Sequence, residues 1–105
     1  MKIKLDISER FALLGILPEK GNYATQKVVG DLIEDIGFSV EELEKIEYKQ
    51  EGDRGVWDPK KDPNKEFDFG KYESEVIADA LKDLDEKDEL ERRHVSLYDK
   101  FVEAK

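Results

Sequence analysis

The sequence predicts an α+β domain in which about five helices pack on a small antiparallel sheet, in an order of elements partly like that of a winged helix. Apolar residues recur at helical spacing through most of the chain, short alternating runs stand at its start and middle, and Gly, Pro and Asn separate these segments. With 105 residues the chain has the length of one domain, so 1–105 reads as a single compact unit.

Taken in order, Ile3, Leu5 and Ile7 alternate with Lys2, Lys4 and Asp6, the period of a half-buried strand. Ser8 reads as the cap of a first helix over 9–17, whose Phe11, Ala12, Leu13, Leu14, Ile16 and Leu17 belong in the core. Pro18, Gly21 and Asn22 end it. A second amphipathic helix runs from Thr25 to about Ile36 through Val28, Val29, Leu32 and Ile33, with Gly37 supplying a left-handed end. Ser39 and Glu42 have the spacing of a capping box, flanked by Phe38 and Leu43 as a hydrophobic staple, which predicts a short helix over 40–45.

Beyond it, Ile46 and Tyr48 alternate with Glu47 and Lys49, residues 52–55 form a turn, and Val56-Trp57 returns as the second arm of a hairpin. Residues 58–65 read as a solvated loop, and Phe67 and Phe69 as a third strand that completes the small sheet. Tyr72, Val76, Ile77, Ala80, Leu81 and Leu84 trace a helix face of about four turns. Leu90, Val95, Leu97, Tyr98, Phe101 and Val102 mark a last helix.

Composition bears on function by exclusion. The chain has 27 Asp and Glu against 18 Lys and Arg, a formal charge of −9, which disfavours the phosphate contacts that supply most nucleic-acid affinity. In a winged-helix arrangement the helix over 40–45 would read the DNA, yet it carries Glu41, Glu42 and Glu44. Cysteine is absent, and the one histidine, His94, stands beside Arg92 and Arg93, where a surface or helix-start role is expected rather than catalysis. Ser8, Ser39, Ser74 and Ser96 lie in no nucleophile elbow. Asp62, Asn64, Glu66, Asp68 and Glu73 approach the spacing of a calcium loop, but Phe67 occupies the position that needs glycine. The expectation is a non-enzyme with no metal and no cofactor. No apolar run reaches the roughly 18 residues of a membrane span, and the acidic, alternating amino terminus is unlike a signal peptide, so a cytoplasmic location is expected.

Several segments resemble a family of small, functionally unassigned proteins of tailed phages and prophages: Ser8-Glu9-Arg10 with Ile16-Leu17-Pro18, Gly21-Asn22, Lys27-Val28-Val29, and residues 49–53 with Trp57. Residues 78–82 and 95–101 extend the resemblance over nearly the whole chain, with the loop 58–65 outside it. The resemblance implies a phage-encoded accessory protein of the bacterial cytoplasm, and it transfers no catalytic residue and no ligand.

Three functions follow as expectations. In the first, an acidic surface with Glu41, Glu42 and Glu44 as contacts binds a host or phage protein, such as a basic nucleic-acid-binding protein, and inhibits a host or defence component. In the second, a homo-oligomer sequesters a small nucleotide signal, with Tyr48 and Trp57 stacking and Lys49 and Arg54 neutralising phosphate. In the third, the chain is a virion structural or assembly protein.

Overall fold

The computed structural model describes residues 1–52, 54–58 and 64–103, with Arg54 by its backbone alone. Strand β1 (Lys2–Leu5) buries Ile3 and Leu5 and leaves Lys2 and Lys4 in water, as its alternation predicts. Its partner is β4 (Lys65–Asp68), antiparallel, with Ile3 opposite Phe67 and Leu5 opposite Lys65. The hairpin of β2 (Lys49–Glu51) and β3 (Arg54–Val56) stands apart as its own two-stranded sheet. This corrects the expectation of one sheet holding the hairpin and the third strand. Phe67 needs an apolar neighbour on the core side; Ile3 provides it, whereas β2 is exposed along its whole length. Ile46 and Tyr48 precede the hairpin ladder, because Glu47 takes a left-handed φ of 56° and breaks the alternation there. The hairpin turn contains Gly52 at φ 61°.

Among the described residues five helices pack with the β1–β4 ribbon, α1 directly against β1. Helix α1 (Ile7–Ile16) starts two residues before the expected Glu9, because Asp6 rather than Ser8 is its cap. Asp6 Oδ1 accepts the Glu9 N–H at 2.7 Å and the Asp6 N–H donates to Glu9 Oε1 at 3.1 Å, a reciprocal box that Ser8, already inside the first turn, has no geometry to make. Helix α2 (Tyr23–Ile36) is capped by Asn22, whose side chain accepts the Thr25 N–H at 2.8 Å. Gly37 follows at φ −59°, so its role is not a left-handed turn. A Cβ there would lie 2.5 Å from the Ile33 carbonyl oxygen, so glycine is required by close approach.

Helix α3 (Val40–Lys45) begins with the predicted box: Ser39 Oγ accepts the Glu42 N–H at 3.1 Å and the Ser39 N–H donates to Glu42 Oε1 at 3.4 Å. Helix α4 (Lys71–Glu86) buries Ile77 and Leu81. Helix α5 (Arg92–Tyr98) continues as a π turn through Asp99–Glu103 that delivers Phe101 to the core. Leu5, Leu13, Leu32, Ile36, Ile77, Leu81 and Leu97 form the fully buried centre, with α1 packed against α2, α4, α5 and β1. Element order follows a winged helix only as far as α3 and the hairpin after it. Among the described residues no helix is long and apolar enough to cross a membrane.

Candidate functional site

Members of both sets of residues singled out in the sequence, Glu42 of the first and Tyr48 and Trp57 of the second, come together where α1, the start of α3 and the hairpin converge. The buried Arg10 of α1 organises this junction. Its Nε and Nη2 donate to the Ile36 carbonyl at 3.1 and 2.9 Å, and Nη2 also donates to the Gly37 carbonyl at 3.0 Å. These carbonyls end α2, where the helix itself has no donors left to offer. Nη1 pairs with Glu42 Oε2 at 2.9 Å, and the guanidinium lies 3.9 Å from the centre of the Phe38 ring. One side chain therefore joins α1, the end of α2 and the start of α3. The Arg10 hydrogen bond, together with the Ser39 N–H, holds the Glu42 carboxyl below its ordinary range against a smaller opposing effect of burial.

Phe11, the next residue of α1, carries the apolar side of this junction. Its ring stacks on Phe38 at 4.5 Å and on Tyr48 at 5.8 Å, and meets Trp57 at 5.5 Å. Tyr48 lies across Gly55 of β3, where a Cβ would come within 2.5 Å of the ring, and its hydroxyl donates to Gln50 Oε1 at 2.7 Å. The four rings are half-buried and lie under the hairpin, away from the main core.

Tyr48 separates two hollows. On one side Phe11, Tyr48, Gly55 and Trp57 line a cleft of about 340 Å³ with Ser8 and Arg93 at its edge. On the other, Val40, Leu43 and Tyr48 form the floor of a shallower hollow of about 540 Å³, edged by Glu44, Glu47 and Lys49. The expected contacts thus part company. Glu41 and Glu44 project from the exposed side of α3, whereas Glu42 is turned inward to Arg10. Tyr48 and Trp57 share the aromatic cleft; Lys49 belongs to the other hollow, and the Arg54 side chain lies outside the described residues. Asp62, the first position of the calcium-loop spacing, also lies outside them.

Sequence reasoning did not assign Arg10, Phe11, Phe38 and Arg93 to the site: Phe11 and Phe38 read as core and staple residues and Arg93 only as a neighbour of His94. A lone arginine on an otherwise apolar helix face was the available signal for Arg10. His94 has the expected helix-start role but not the surface one: it is 4% exposed, and its Nδ1 accepts the Glu91 N–H at 3.0 Å. Burial, aided by Arg93, holds its pKa below the ordinary histidine value and outweighs the opposing Glu91. Compared with known proteins, the chain matches no protein-family model, no curated protein and no solved structure.

Proposed function

We propose that the chain is a non-catalytic, phage-encoded accessory protein of the bacterial cytoplasm that acts by binding another protein through an acidic surface. The observation that carries the binding mode is the α3 shoulder. Val40, 72% exposed, forms with Leu43 and Tyr48 an apolar floor whose edge carries Glu44 and Glu47 beside the single cation Lys49. An apolar centre with two glutamates to one lysine on its rim suits a partner with a mainly basic rim, and the charge of −9 steers such a partner in. A basic nucleic-acid-binding protein of the host, including a defence component, has that character. Glu42 serves this reading by fixing α3 through Arg10 rather than by touching the partner. The test is affinity capture from phage-infected host cells with the wild type and with Glu41→Lys/Glu44→Lys. A partner held at moderate salt by the wild type and lost by the variant is expected; equal capture by both removes the α3 shoulder from the reading.

A second reading, sequestration of a small nucleotide, draws support from the cleft at Phe11, Tyr48 and Trp57, where an aromatic base would stack and Arg93 would meet a phosphate. Trp57 is the one tryptophan of the chain, so its fluorescence reports this cleft directly. Saturable quenching by nucleotides, lost in Arg93→Gln, is the expected sign; a flat titration across linear and cyclic nucleotides excludes it.

A further inference from the structure

Helix α4 bears a wider apolar stripe than the core covers, although Val76, like Val28 of α2, also packs in part against the core. Ile77 and Leu81 are fully buried, but Tyr72, Val76, Ala80 and Leu84, one turn apart in succession, are not: Tyr72 is 70% exposed and the other three are partly covered. They lie along a groove between α4 and the start of α2, which two adjoining hollows of about 360 Å³ each make up. Ala24, Thr25 and Val28 of α2 form its other wall beside Tyr72 and Val76, and Ile16 and Pro18 with Thr25 form it beside Ala80 and Leu84. From Tyr72 to Leu84 the groove runs about 18 Å at 1.5 Å per residue, the length of a helix of roughly three turns. Beside the apolar stripe, displaced by one residue, runs a second stripe of Glu75, Asp79 and Asp83, all exposed. The only cation that any of these three meets through an ion pair among the described residues is Lys87, 2.9 Å from Asp83.

We infer that the α2–α4 groove is a docking site for a cationic amphipathic helix of a partner protein, its apolar face on Val76, Ala80 and Leu84 and its lysines or arginines on Glu75, Asp79 and Asp83. Charge selects this occupant. A second copy of a chain with charge −9 would set carboxylate stripe against carboxylate stripe, and an uncharged apolar helix would leave Glu75 and Asp79 beside its buried rim without compensation. Recognition of an amphipathic helix in an apolar groove needs anchors at one-turn spacing, which Tyr72, Val76, Ala80 and Leu84 match. The groove lies on elements other than α3, so the inference rests on the protein-binding reading but assigns it a second surface and a partner of stated form.

The experiment uses the full chain and synthetic peptides of about fourteen residues made of leucine and lysine. One places leucines at helical spacing, and another has the same composition in scrambled order. The ordered peptide is expected to bind at least about ten-fold more tightly than the scrambled one and to gain helical circular dichroism on binding. Glu75→Gln/Asp79→Asn and, separately, Tyr72→Ser should each weaken it by about five-fold or more, while Glu41→Gln/Glu44→Gln leaves it within about two-fold. All these side chains are exposed, and unchanged thermal melting verifies that the variants fold. Equal binding of the scrambled peptide, binding without helix formation, or equal loss in the α3 variant overturns the inference. These outcomes are separate from the cell capture: loss of the natural partner in the α3 variant alone, with the peptide still bound in the groove, would count for the α3 shoulder and leave the groove standing.

Discussion

Arg10, 3% exposed, distributes its donors among two backbone carbonyls at the end of α2 and one carboxylate of α3. Arg10→Met should therefore cost about 2 to 4 kcal/mol, since it strips partners from the end of α2 and from Glu42 at once. Arg10→Lys should restore less than half of that, because a single ammonium cannot reproduce the planar fork; an unchanged denaturation midpoint for Arg10→Lys would refute the junction. Acid should weaken the fold in two stages. His94 titrates in the fold below the ordinary 6.5, so the stability tied to its neutral form is present above that value and is lost as pH falls through its lower folded value. Glu9 and Glu42 follow at lower pH. Burial pushes the Glu9 carboxyl up, but Lys100 Nζ at 2.7 Å, the Asp6 N–H and Ser96 together bring it below 4.5, and Glu42 is likewise depressed, so their contribution holds above 4.5 and fades beneath it. In urea titrations from pH 8 to pH 3, His94→Gln should flatten the first stage and leave the second. Glu42 was legible in sequence as a capping residue, because that role depends on a neighbour three positions away; its pairing with Arg10, 32 positions away, was not.

At the scale of elements, the helices were written locally and the sheet was not. The third helix could be placed to the residue because Ser39 and Glu42 satisfy each other's backbone donors, and Leu32 could be assigned to the core from its spacing alone. Ser39→Ala should cost about 0.5 to 2 kcal/mol and Glu42→Gln more than capping alone would suggest, since its charge also serves Arg10. Leu32→Ala should cost about 2 to 5 kcal/mol, and Gly37→Ala should be destabilising although its φ suits any residue, because the Ile33 carbonyl leaves no room for a methyl. A denaturation midpoint lowered more by Ser39→Ala than by Leu32→Ala would contradict this account. The hairpin and the third strand were recognisable one by one, but which strand pairs with which depends on an apolar face matched across more than sixty residues of chain, as Ile3 with Phe67. Of the candidate site, the aromatic residues Tyr48 and Trp57 stood out by type, whereas Phe11 and Phe38, which bring them together, read as ordinary core and staple residues.

For the whole molecule, the acidic excess is a standing tension. Like charges on a small body repel, so screening should favour the compact state: between 20 mM and 500 mM sodium chloride the melting temperature should rise by about a few degrees. A fall over that range would mean that the Arg10 and Lys100 pairs outweigh the general repulsion. The pairing of β1 with β4 reaches further, into the order in which the molecule assembles. Lys2 faces Asp68, so β1 has no partner until more than sixty further residues have followed it. Helices α1 to α3 can begin to gather around Leu13 and Leu32 beforehand, but the edge that Ile3 and Leu5 belong to stays open meanwhile. Ile3→Ala should therefore speed unfolding and leave the folding rate nearly unchanged.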